Sequence, residues 1–241
     1  RLQIEANGKA FKELISGIYS DKTYAIAREL IANAWDAHVL AGNEQRAFDL
    51  HLPTVFDPTF SIRDYGTSMD HNTVMTLYRT LFRSTKDDPN SPDSNKFVGK
   101  FGLGSKSPFA YTDAFQLTTF LDGIQRVYDI YFNAGAPMIS LFLEVETDEP
   151  NGVLITFPVE AKDVDDFARA AARAMEPLVL RPNMTGRKVD VPERSVLFSG
   201  LGWKLLDGTF SDVAEALQGT VLYPLRFASI PNIIFPQFFC P

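Results

Sequence analysis

The 241-residue chain is 45% hydrophobic and 22% charged, enough apolar content for one large domain or a domain and a half with a real core. Its formal net charge of -7 lacks the basic footprint expected of a nucleic-acid binder, and Cys240 is its one cysteine, which excludes an internal disulfide. No apolar run approaches the ~18 residues needed to span a membrane, so a cytoplasmic location is expected. The chain begins at Arg1 without a signal-peptide pattern and ends in the apolar stretch Phe235 to Pro241; it reads as a fragment of a longer protein.

In chain order, residues 8–20 and 22–40 read as helices, the second stopping at Gly42. Phe48 to Phe56 and Phe60 to Arg63 read as strands joined at Asp57-Pro58, and Asn72 to Phe82 as a helix. Residues 84–98 are rich in Ser, Asp, Asn and Pro, the composition of a long functional loop. After a glycine-rich turn, Gly99 to Gly104, strand-like runs occupy 114–121, 125–132, 138–147 and 152–159, with Asp122-Gly123 and Asn151-Gly152 as hairpin signals. An alanine-rich helix is expected from Asp163 to Met175, strands within 195–206, and a short helix from Ser211 to Gln218. Helices lead and strands follow, which predicts a two-layer α/β sandwich.

Three segments carry chemistry. In Arg28 to Ala37, the residues Glu29, Asn33 and Asp36 are spaced i, i+4, i+7 and share one helix face. Such a stripe can line a pocket with a carboxylate to activate water, an amide to hold a metal, and a second acid. The same spacing also suits the wet side of an ordinary amphipathic helix. In Ser61 to Met69, a strand ends in Asp64 and a tight turn through Gly66. Asp64 there can accept a hydrogen bond from an exocyclic amine, or simply make the turn. In Gly99 to Ser107, the glycines Gly99, Gly102 and Gly104 let backbone N–H groups approach phosphate oxygens. This run is not a Walker A loop, because Ser105 follows Gly104 and Lys106 comes one place late. No strand precedes it, as a Rossmann fingerprint requires. His38, His51 and His71 are scattered, and with one cysteine they offer no zinc site.

Together and in this order, the three segments resemble the signature boxes of the GHKL ATPases, the nucleotide fold of gyrase B, the Hsp90 chaperones, histidine kinases and MutL. The resemblance covers roughly residues 8–160. It implies helices layered over a mixed, mostly antiparallel sheet, with ATP and Mg2+ as cofactors. It implies Glu29 as general base, Asn33 as the magnesium ligand, Asp36 as the second acid near the adenine, and Asp64 as the reader of the adenine amine. Gly66 and Met69 belong to the adenine side. Gly99, Gly102 and Gly104 form the phosphate-binding lid hinge, and Lys106 is a phosphate partner of mobile charge. Two positions depart from the pattern: Ser68 replaces the second glycine after the acid, and Val153 stands where a threonine follows a glycine near the adenine.

Within the family, Ser84-Thr85-Lys86, the run from Gly99 to Tyr111 and Gly219 to Pro224 resemble phage rIIA-like proteins, which would place the chain in a host cytoplasm. The implied organisation is an ATP-binding domain over 1–190 with a lid at about 84–98, and a transducer-like extension over 191–241. A magnesium-dependent ATPase that drives a conformational change is the leading reading. A non-hydrolysing, nucleotide-gated interaction module is the second, and a fragment of DNA topology or mismatch-repair machinery the third. The expected partner is another protein or a second copy of the chain.

Overall fold

The computed structural model describes residues 21–79, 104–133, 136–178, 180–191, 193, 195–200, 203–206, 215–218 and 221–224. The helix expected over 8–20, the loop 84–98, and Gly99 and Gly102 lie outside the described residues. Helix α1 runs over Lys22–Ala41. It starts where the Asp21 carboxylate accepts the Tyr24 N–H at 3.1 Å, and it ends at Gly42. Strands β1 (Asp49–Leu52) and β2 (Thr59–Arg63) follow, then helix α2 (His71–Arg79) and a 3₁₀ helix over Gly104–Ala110. Strands β3 (Ala114–Leu121), β4 (Ile124–Asn133), β5 (Ala136–Glu146) and β6 (Gly152–Pro158) precede helix α3 (Val164–Met175) and strand β7 (Asn183–Gly186).

Seven strands form one sheet in the order β5-β4-β3-β6-β2-β1-β7. It is antiparallel throughout except for the parallel pair β1–β7. One face is apolar and joins the helices in a single core: Leu50, Ile62, Leu117, Tyr128 and Ile155 from the sheet meet Ile26, Leu30 and Ile31 from α1 and Phe167 from α3. Phe60, Phe157 and Phe167 stack at the centre, with ring centroids 5.1 to 5.7 Å apart. The architecture is the expected α/β sandwich with a mixed, mostly antiparallel sheet. Two hairpins stand apart as separate two-stranded sheets: β8 (Val196–Gly200) with β9 (Trp203–Leu206), and β10 (Glu215–Gln218) with β11 (Val221–Pro224).

Several local expectations are corrected. The strand expected over 48–56 stops at Leu52. Pro53 cannot donate to a ladder that β1 shares with a neighbour on each side, and Thr54 and Asp57 close a turn instead. The helix expected over 211–218 is replaced by β10 where it is described, because four residues cannot nucleate a helix as cheaply as they pair with Val221–Pro224. Asn151-Gly152 is not a hairpin turn: β5 pairs with β4, and β6 with β3 and β2. Asp122-Gly123 is one, with φ of 51° and 79° between the partners Leu121 and Ile124.

Candidate functional site

The turn after β2 is the most constrained part of the molecule. Asp64 continues the β2–β6 ladder through its N–H, which donates to the Val153 carbonyl at 2.9 Å. The chain then leaves the sheet and lies against the C-terminal end of α1. Gly66 touches that helix so closely that a Cβ would meet the Ala37 carbonyl carbon at 2.2 Å and the His38 nitrogen at 2.5 Å. Three hydrogen bonds fasten the turn there: Thr67 N–H to Ala37 O at 3.1 Å, Tyr65 N–H to His38 Nε2 at 2.7 Å, and Asn43 Nδ2 to Tyr65 O at 2.9 Å. His38 is fully buried, and its Nδ1 lies 3.0 Å from the Arg46 carbonyl. Nε2 faces a donor and Nδ1 an acceptor, so the ring is the neutral Nδ1–H tautomer. Burial holds its pKa below the usual histidine value, which agrees.

Asp64 is 7% exposed. Burial pushes its carboxyl up to about 7, against the stabilising Gly66 N–H at 3.0 Å and the nearby Arg63 charge. The Gly66 N–H donates to one of its oxygens. Arg63, itself buried, bridges the carbonyls of Asp64 and Pro150 and lies 3.9 Å from the Phe120 ring centroid. It thereby ties the loop before β6 to the acid. Gly152 completes the seam: at φ 142° a Cβ would sit 2.1 Å from the Asp64 carbonyl oxygen. Ser68, at the position where the family pattern has a second glycine, donates its hydroxyl to Gly152 O at 2.9 Å. The substitution therefore adds an anchor to the turn. An expected outcome follows for Gly66→Ala. The added methyl must displace α1 backbone, so the variant should lose about 3 kcal/mol or more in denaturant unfolding. Wild-type stability in that variant would mean that the turn is free to move off the helix.

On α1, Glu29 and Asn33 are half-buried and Asp36 is buried. The Arg28 guanidinium meets Glu29 Oε1 at 2.8 Å. The 3₁₀ helix packs on α1, so the segment carrying Lys106 neighbours the helix carrying Glu29 and Asn33. Lys106 is buried rather than extended into solvent, with its ammonium 6.0 Å from the Tyr78 ring centroid. Met69 is half-buried against the core just beyond the turn. The structure thus brings Asp64 and Gly66 onto the end of α1, one residue past Asp36, and sets Gly104 at the start of the 3₁₀ helix. Among the described residues there is no group of three or more His, Cys, Asp or Glu able to cage a metal.

Comparison with known proteins finds chaperone relatives. The chain is 28% identical to chaperone protein HtpG of Rhodococcus jostii over 205 residues, which is 75% of this chain and 31% of that protein. It is likewise 28% identical to HtpG of Mycobacterium tuberculosis over 186 residues, 69% of this chain and 28% of the relative. The match supports a GHKL-type ATPase domain. No family model matches the chain. The chain spans about three-tenths of the length of these curated relatives. Among the described residues, no helix is long and apolar enough to cross a membrane.

His38, Arg63 and Ser68 escaped the sequence reading as site residues. The signal for His38 was a histidine in the last turn of an otherwise apolar helix stripe. Arg63 and Ser68 gave none, because each reaches a backbone carbonyl more than 80 residues away, that of Pro150 and that of Gly152.

Proposed function

We propose that the chain is an ATP-binding, magnesium-dependent ATP-hydrolysing module whose nucleotide state drives a conformational change. One observation carries this reading: a buried acid, Asp64, held between the helix layer and the sheet by a turn that only glycine at position 66 allows. That acid fits the N6 amine of an adenine, a donor in need of an acceptor. The likeness to HtpG supports the same assignment. Asn33, Asp36, Gly66, Met69, Gly99, Gly102, Gly104 and Lys106 complete the proposed pocket, with residues 84–98 as its lid, all within a domain over 1–190. The segment 191–241, with its two separate hairpins, is proposed as a transducer-like extension.

The residues present fit magnesium in one particular way. Mg2+ keeps several waters and is commonly held by one or two side chains together with phosphate oxygens. A single half-buried amide, Asn33, on the helix that neighbours the glycine-rich segment is sufficient for that role, where a dedicated cage is not needed. Bound there, the ion would neutralise phosphate charge. The chain's own residues would position the nucleotide, exclude water and, at Glu29, take a proton from the attacking water. The test is ATP affinity with magnesium and with chelator. Wild type should bind more tightly with the metal, and Asn33→Ala should lose that gain, by no less than the roughly tenfold cost of removing an outer-shell partner. Equal ATP affinity in both conditions for wild type would remove the metal from the scheme.

One observation favours a second reading, a nucleotide-gated interaction module without turnover. The Glu29 carboxylate is engaged in an ion pair with Arg28. In either reading the partner is another protein or a second copy of the chain. We further propose, from the resemblance of the motifs around Ser84 and Gly99 to Tyr111, that it belongs with the phage rIIA-like group and acts in a host cytoplasm.

A further inference from the structure

Asp49 opens β1, in the row that also holds Arg63 of β2 and Asn183 of β7. Its two carboxylate oxygens serve different elements. The Tyr65 hydroxyl donates to Oδ2 from the turn that carries Asp64, and Asn183 Nδ2 donates to Oδ1 at 2.9 Å from β7. One carboxylate therefore joins the residue after Asp64 to an edge strand of the sheet.

Tyr65 is tied closely to its turn. Its N–H donates to His38 Nε2 at 2.7 Å, and its carbonyl accepts from Asn43 Nδ2 at 2.9 Å. Its ring meets the guanidinia of Arg46 and Arg63, 3.6 and 4.7 Å from the centroid, and Arg63 also donates to the Asp64 carbonyl. Burial, and after it the bond to Asp49, holds the hydroxyl's pKa above the ordinary tyrosine value, so it remains a donor. A shift of Asp64 is thus passed to the Tyr65 hydroxyl, and from there to the Asp49 carboxylate.

Strand β7 is a weakly held element. It has four residues, three of them exposed, and among the described residues β1 is its one sheet neighbour. Met184 alone packs on the core. Polar bonds hold the rest: Asn183 N–H to Phe48 O at 2.9 Å, Thr185 Oγ1 at 2.9 Å from His51 Nδ1, and Asn183 to Asp49. A segment with so little buried apolar surface opens locally at a far lower cost than the core does. It is also the last strand of the seven-stranded sheet in chain order, and the chain runs on from it to the segment 191–241.

We propose that Asp49 is a clasp through which occupancy of the base site tightens β7 on the sheet, and so sets how firmly the segment 191–241 is tethered. This rests on the assignment of Asp64 to the adenine amine. A base bonded to Asp64 fixes the turn. The Tyr65 hydroxyl then holds Asp49 Oδ2 in one place, and Oδ1 stays aimed at Asn183. With the base site empty, the turn and the carboxylate keep more freedom and β7 opens more often. The nucleotide therefore binds the docked arrangement better than the detached one, which is the condition for a ligand to shift an equilibrium.

The experiment is hydrogen exchange of the whole chain, read at the backbone amides of 183–187, without and with saturating ADP and magnesium. In wild type, ADP should slow exchange there by about fivefold or more, the low end of ordinary coupling between sites. Tyr65→Phe keeps the ring and removes the bond to Asp49. Asn183→Ala cuts the other side at an exposed position, so it tests the clasp even where the tyrosine variant folds poorly. Asn183→Ala should bind ADP within about twofold of wild type, because β7 is docked in most empty molecules. Both variants should lose the slowing at 183–187 and keep it at 64–67. Wild-type exchange at 183–187 that ignores saturating ADP, or slowing there that survives in both variants, overturns the clasp and leaves the base site standing. Unchanged ADP affinity in Asp64→Asn overturns the base-site assignment, and the clasp with it.

Discussion

Replacing Asp64 by asparagine should weaken ATP binding by about ten- to a hundredfold at pH 8 while making the empty protein more stable. The first half follows from chemistry. A carboxylate is acceptor-only, whereas an amide presents a donor to the adenine amine, and a charge-assisted bond is worth about 1.5–3 kcal/mol. The second half follows from burial. The carboxyl titrates near 7 in the fold against 3.8 as the reference value, a difference of about 3 units or ~4 kcal/mol. The folded pKa is raised, so the favourable contribution is fully present below pH 3.8 and is lost as pH rises through 7. Asparagine does not titrate. The melting-temperature advantage of Asp64→Asn should therefore grow from about pH 4 to about pH 7 and level off above.

Nucleotide affinity should show the matching trend. An amine donor binds the carboxylate form, so wild-type ATP affinity should fall towards tenfold per unit as pH drops below 7, with a proton released on binding. Calorimetry in buffers of different ionisation enthalpy reads that proton directly. A pH-independent affinity between pH 5.5 and 8 would show that Asp64 does not face the ligand. His38 acts in the opposite sense. Its pKa is lowered in the fold, so its contribution is present above the unfolded value of 6.5 and lost in acid, when Nε2 can no longer accept the Tyr65 N–H. The turn is thus held by a neutral histidine and destabilised as the Asp64 carboxyl ionises, the first condition lost in acid and the second growing as pH rises through about 7.

How much of this was legible in the sequence depended on the range of the interaction. Helix α1 was readable to within a residue, because its apolar face, its aspartate cap and its terminal glycine are all local. The long strands β3, β4 and β6 were readable for the same reason. Strand β7 was not. Asn183–Gly186 is short and polar, and only its parallel pairing with β1, from far away in the chain, makes it a strand. Gly152 was legible as a special residue but not for the right reason. It resembled a hairpin glycine, yet its role is to let the Asp64 carbonyl approach. At the site, the acids and glycines were visible because their spacing is local. What fixes them in place was invisible, since His38 to Tyr65, Arg63 to Pro150 and Ser68 to Gly152 are contacts between distant segments.

Removing the Glu29 carboxylate decides between turnover and mere binding. Glu29 lies one helical turn before Asn33 on the face of α1 that the two share, so a carboxylate there can reach water beyond a phosphate held at Asn33. A positioned general base contributes ~10²–10⁴ in rate. Glu29→Ala should bind ATP about as tightly as wild type and hydrolyse it slower by that factor, with Glu29→Gln behaving alike. The ion pair with Arg28 bears on the absolute rate. It keeps the carboxylate on the α1 surface, with the guanidinium 2.8 Å from Glu29 Oε1. Both side chains retain about a fifth to a quarter of their exposure, at 24% and 20%, so the pair is weak enough to open when a nucleotide's charge arrives beside it. Arg28→Ala should consequently leave ATP binding intact and raise the rate if that opening limits turnover. The informative quantity is the ratio of mutant to wild-type rate at saturating ATP, since lid closure or association can slow all variants equally. A ratio near one for Glu29→Ala would reject Glu29 as the base and leave the nucleotide as a switch that this chain binds without consuming.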